Sequence, residues 1–194
     1  MSAGKTNGIV IGIVSDLEDP DNLARVRVKY PHLADQESQW ARLATPMAGK
    51  ERGFFCRPEV GDEVLVCFEQ GDIRRPYILG SLWSSADMPP ADDGNASDNN
   101  WRFIHSRSGH VVKLDDTDGS EKVEIIGKDE KHKIVIDVAG DKIQIICDSG
   151  DVEVTAKGDI AIEAENVKIS ARSSMDLKAP NGTMTIEGQL VKIN

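Results

Sequence analysis

The sequence predicts an all-β protein in two parts, and three observations carry that reading. Short apolar–polar alternations recur along the 194 residues, the mark of strands with one buried face. Aromatic residues make up only 5% of the chain, so its apolar content rests on Val, Ile, Leu and Ala, which suits thin β-structure better than a thick core. No amphipathic helical period separates the strands of the front half.

That front half, residues 1–83, reads as five or six strands. Gly8 to Val14 is the first, and the Asp-rich stretch from Asp16 to Asn22 is a turn. Ala24 to Tyr30 alternates cleanly and is the second; Gln39 to Thr45 is the third. Phe54 to Cys56 is a short fourth strand, ended by Arg57 and Pro58. Asp62 to Phe68 is the fifth, and Tyr77 to Leu79 leads out through Gly80. Strands of this number and length predict a small closed or nearly closed barrel. Residues 84–100 hold almost nothing to bury and predict a linker.

Residues 101–194 restart the apolar signal and, from about Val111, repeat it. Val152 and Val154, Ile160 and Ile162, Val167 and Ile169, Met175 and Leu177, Met184 and Ile186, and Val191 and Ile193 form successive apolar pairs, with Gly150, Gly158, Asn166, Asn181 and Gly182 between them. Ile134, Ile143 and Val152 are spaced alike, as are Ile136, Ile145 and Val154. Rungs this short leave no room for a second layer over the apolar face. A fully buried aliphatic side chain contributes roughly 1.5–3 kcal/mol, whereas ordering a residue costs on the order of 1.5 kcal/mol. A lone ribbon exposing that face cannot offset the ordering cost. Copies of the same chain facing a shared axis can, so the pattern predicts a long, intertwined oligomer.

Charge and cysteines narrow the function. The formal net charge is −10, spread over both halves without a basic stripe, which argues against nucleic acid as a partner. Cys56, Cys67 and Cys147 are scattered among apolar residues and are expected to be buried thiols of a protein folded in a reducing cytoplasm. Residues 1–6 are too polar for a signal peptide, and no run reaches the roughly 18 apolar residues of a membrane span.

Two sets of residues resemble a known family. Ala24-Arg-Val-Arg-Val-Lys-Tyr-Pro31, Trp40-Ala-Arg-Leu-Ala-Thr-Pro46, Ala48-Gly49, Gly53-Phe-Phe55, Pro58-Glu-Val-Gly-Asp-Glu-Val-Leu-Val66 and Glu69-Gln-Gly-Asp-Ile-Arg-Arg-Pro-Tyr-Ile-Leu-Gly80 resemble the OB-fold barrel of phage baseplate assembly protein V and of VgrG-like spikes. Ser106-Arg-Ser-Gly-His-Val-Val-Lys-Leu-Asp-Asp-Thr-Asp-Gly119 resembles the start of the triple-stranded β-helix needle of the same central spikes of contractile injection systems. The resemblance implies an OB-fold barrel (1–83), a linker (84–100) and an intertwined trimeric β-helix needle (101–194). It implies a homotrimeric, non-enzymatic spike in a phage tail baseplate or injection particle, assembled in the bacterial cytoplasm and driven through a target envelope. Ala24 stands where the family often has Gly. The chain has room for neither the hub nor the lysozyme domain of larger relatives, so a separate hub protein is expected, with Arg74 and Arg75 as a candidate hub interface. No His follows His132, unlike iron-tipped short spikes. The expectation is a PAAR-type tip protein on Leu190, Val191, Lys192, Ile193 and Asn194.

Other residues invite chemistry that their pattern does not support. His105 and His110 lack a third ligand. Asp115, Asp116 and Asp118 lack the remaining ligands of a calcium loop and read as a turn. Glu59, Asp62 and Glu63 suggest paired carboxylates, but nothing fixes their separation and the resemblance puts them in a turn. Trp40, Trp83 and Trp101 read as barrel or interface packing rather than a base-stacking platform. No catalytic, metal or cofactor residues are therefore expected. A second reading is an OB-fold module gripping glycan or single-stranded nucleic acid on a β-helical stalk. A third makes the needle a degradative enzyme, but the outward residues Glu153, Ala161, Lys168, Asp176 and Thr185 form no column of one chemistry.

Overall fold

The computed structural model describes residues 8–92, 94 and 97–192. They fall into two units, Met1–Asp148 and Ser149–Asn194.

The first unit opens with a curled six-stranded sheet. Its strands are β1 (Val10–Asp16), β2 (Arg27–Tyr30), β3 (Gln36–Glu37), β4 (Arg42–Leu43), β7 (Glu63–Phe68) and β8 (Pro76–Leu82), in the order β3-β2-β1-β7-β8-β4. The two margins meet where Val26 and Ala41 exchange N–H···O bonds of 3.0 and 2.8 Å. Alternation chose the inside: along β7 Val64, Val66 and Phe68 are buried while Glu63, Leu65 and Cys67 are half-buried. Val14, Val26, Val28, Tyr30, Ala41 and Ile78 complete the core. Register shifts between Val14 and Asp16 and between Leu65 and Val66 are bulges that bend the sheet round this interior. Gly12 allows the closest packing, because a Cβ there would lie 3.0 Å from Val28 Cγ2 and 3.1 Å from Val66 Cγ2.

The expected fourth strand at Phe54 to Cys56 is not formed. A hairpin of β5 (Ala48–Gly49) and β6 (Arg52–Gly53) takes its place, and the residues after it are exposed loop. Gly53 dictates this: its φ is +151° and a Cβ would lie 2.5 Å from the Met47 carbonyl oxygen. Phe54 N–H then donates to Met47 O at 3.0 Å, and the Thr45 hydroxyl donates to Phe54 O at 2.8 Å. With its backbone bonded across the loop, Phe54 has no sheet edge to join. The expectation of buried thiols also needs correction, since Cys56 lies in this exposed loop and Cys67 and Cys147 are half-buried.

The same unit continues into a five-stranded antiparallel meander of β9 (Trp101–His105), β10 (Val111–Asp115), β11 (Lys122–Ile126), β12 (His132–Asp137) and β13 (Lys142–Cys147). Ile134 lies opposite Ile145 and Ile136 opposite Ile143. The nine-residue recurrence of these isoleucines is therefore a hairpin within one chain.

In the second unit no described residue from 149 to 192 is in a strand, and all are exposed. The physical reason is local. A strand exists only through a ladder to a neighbour, and rungs of two or three residues separated by turns have no partner here within their own chain. Ile193 and Asn194 lie outside the described residues, as do residues 1–7, 93, 95 and 96 of the expected barrel and linker segments.

Candidate docking surfaces

The meander has two chemically distinct faces, and their burial runs against expectation. Because side chains alternate, the register puts Ile104, Val112, Leu114, Val123, Ile125, Ile134, Ile136, Ile143, Ile145 and Cys147 on one face. Ile143 and Ile145 there are 73% and 71% exposed. The opposite face carries Trp101, Lys113, Asp115, Glu124, Val135 and Asp137, all buried or half-buried. Polar contacts tile it. Lys113 Nζ sits 2.6 Å from Glu124, 3.5 Å from Asp115 and 4.1 Å from the Trp101 ring centroid. A contiguous aliphatic sheet face left in water is the mark of an interaction surface.

The candidate hub arginines lie in the loop between β7 and β8, and each already has an acid beside it. Arg74 clasps Asp72 through Nε and NH2 at 2.9 and 2.8 Å, which holds the Asp72 carboxyl down at about 2. Arg75 lies 3.4 Å from Glu69. Both remain exposed, so they can re-pair with a partner's carboxylates without leaving a buried charge behind. Of the candidate tip residues, Leu190, Val191 and Lys192 are exposed, and Ile193 and Asn194 lie outside the described residues.

The remaining candidates take structural positions. His105 ends β9 opposite Val111, and His110 Nδ1 accepts the Lys128 N–H at 3.2 Å across the next turn. Asp115 accepts both the N–H and the hydroxyl of Thr117, at 3.1 and 2.6 Å, while Asp116 lies 3.3 Å from Arg102. Asp62 accepts the Glu59 N–H, Glu63 begins β7, and Glu59 reaches Arg107 at 3.0 Å. Trp40 stacks beneath the Arg27 guanidinium at 4.8 Å, Trp101 lies under Lys113, and Trp83 is exposed.

Sequence reasoning missed the Asp19 carboxylate. It is buried at the base of the loop before β2 and accepts N–H bonds from Leu23 and Arg25 as well as the Arg25 guanidinium. The Asp-rich turn was legible, but which aspartate turns inward was not.

The small curled barrel is followed in the chain by a meander whose aliphatic face is bare. Residues 10–83 match the type VI secretion system/phage-baseplate injector OB domain. Over 143 residues, 68% of this chain and 22% of the relative, it is 25% identical to the type VI secretion system spike protein VgrG1a of Pseudomonas aeruginosa. Spike protein VgrG1b of the same organism is 26% identical over 62% of this chain and 18% of its own length. Spike protein VgrG3 of Vibrio cholerae is 35% identical over 36% of this chain and 7% of its own length. Residues 10–83 are thus similar to the injector OB domain, and the chain as a whole is similar in sequence to VgrG spike proteins. It spans about a fifth of the length of the Pseudomonas relatives it matches. No helix among the described residues is long and apolar enough to cross a membrane.

Proposed function

We propose that this chain is the central spike of a contractile phage tail or related injection system, acting as a homotrimer without catalysis. One observation carries the reading: the exposed aliphatic face of β9–β13, continued in sequence by the apolar pairs from Val152 to Ile193. Three such faces turned to a common axis bury each other. In the later rungs, backbone ladders form between chains and give the triple-stranded β-helix. A prism cross-braced this way carries axial load, because no strand can leave without breaking bonds to its neighbours. The barrel end meets a separate hub protein, with Arg74 and Arg75 at that contact. The far end, Leu190 to Asn194, seats a PAAR-type tip protein that covers the last apolar rung. The particle then meets the target envelope tip first.

Light scattering of the purified chain tests the trimer. A mass of three times 21.2 kDa that resists dilution is expected; a compact, stable monomer overturns the proposal. Deleting Leu190 to Asn194 should leave the trimer intact and abolish capture of a PAAR-type tip protein.

A further inference from the structure

The barrel carries a further candidate surface, whose lining includes the candidate hub residues Arg74 and Arg75. A groove of about 1620 Å³ opens between β4, β8 and the loop containing the β5–β6 hairpin. Six arginines line it against two acids, Glu51 and Glu69, in a protein whose net charge is −10. Glu69 is already engaged, by Arg75 and by the Tyr77 hydroxyl at 3.0 Å. Among the described residues no carboxylate pairs with Arg42, Arg52 or Arg57: Arg42 lies 5.8 Å from the centre of the Tyr77 ring, and Arg57 donates to the Leu17 carbonyl at 3.1 Å. All three are exposed, and beside them Phe54 and Phe55 stand 59% and 77% exposed.

We infer that this groove docks an acidic polypeptide segment bearing apolar side chains. Unpaired guanidiniums are forked donors that match carboxylates in a bidentate manner. The two phenylalanines supply the apolar anchors that concentrate binding energy at an interface. Both features occur on one side of an acidic molecule, so charge complementarity selects an acidic partner at this face while the rest of the surface repels it. A nucleic acid fits less well. The groove's lining mixes its arginines with apolar residues such as Leu23, Met47 and Leu79 instead of a continuous basic track.

The test titrates full-length protein with a fluorescent peptide of alternating Glu and Leu, its Gln-for-Glu counterpart, and labelled oligothymidylate. Saturable binding of the Glu peptide is expected, with affinity falling as salt rises and roughly tenfold weaker in R52E/R57E and in F54A/F55A. Unchanged solution mass and melting temperature in both variants show that the loss is local and leave the trimer question separate. No binding of the Glu peptide, equal binding of the Gln peptide, binding unaffected by both variants, or tighter binding of oligothymidylate would each overturn the inference.

Discussion

Arg25 lies across the buried carboxylate of Asp19, donating from Nε at 3.0 Å and from NH2 at 2.6 Å, while its own backbone N–H donates to the same carboxylate. The Arg25 guanidinium holds the Asp19 carboxyl far below its ordinary value, against the opposing effect of burial. A depressed folded-state pKa stabilises the fold above the unfolded pKa and loses that contribution as pH falls toward the folded value. The pair is therefore fully effective above about pH 4, near the ordinary carboxyl range. It weakens progressively on acidification below that. D19N should lower the melting temperature at neutral pH and flatten the acid limb of the stability profile. Thermal melts of both proteins across that range check it; parallel acid limbs would sink the assignment.

Gly12 packs so tightly between Val28 and Val66 that a methyl group there would press on both, at 3.0 and 3.1 Å. Gly12→Ala should destabilise the barrel by about 1–3 kcal/mol through overpacking. Urea denaturation should show a lower midpoint at an unchanged slope. An unaltered midpoint would mean that the β1–β2–β7 region packs more loosely than the structure has it.

Ala24 occupies the left-handed region at φ 57°, where the family resemblance puts glycine. A β-carbon is strained there, and glycine relieves the strain at some entropic cost in the unfolded chain. Ala24→Gly should raise stability by about 0.5–1 kcal/mol. The measurement is again the denaturation midpoint, and a fall would count against the turn geometry.

Ile143 and Ile145 project from the bare face of the meander at its β13 margin. Replacing both with Asp should reduce the solution mass toward 21.2 kDa and leave the barrel folded. The control K113A changes the opposite, polar face and should keep the oligomer. Light scattering with near-ultraviolet dichroism distinguishes the two outcomes.

The barrel was legible wherever alternation was long enough to choose a face. Val26, Val28 and Tyr30 in one run and Val64, Val66 and Phe68 in another point inward as their spacing predicts. Phe54 to Cys56 misled because apolar character alone does not make a strand; Gly53, the residue type that fits a φ of +151° beside the Met47 carbonyl, was the better signal. In the meander, equal spacing of Ile134, Ile143 and Val152 suggested stacked rungs. Antiparallel pairing of Ile136 with Ile143 gives the same spacing through a hairpin, and the turn from Val138 to Asp141 was the available clue. The cationic groove could not be read at all. Arg42, Arg52 and Arg57 are separated by residues with no shared period, and only the closing of the sheet gathers them.

The absence of an in-chain ladder among residues 149–192 has a kinetic consequence. The barrel and meander can reach their contacts by unimolecular folding, whereas in the proposed trimer the segment after residue 148 orders upon encounter with other copies. Refolding from denaturant should thus separate into an early phase indifferent to dilution and a later one whose rate climbs with protein concentration. In that proposed assembly the meander, already formed, would supply the seed from which the remaining rungs zip.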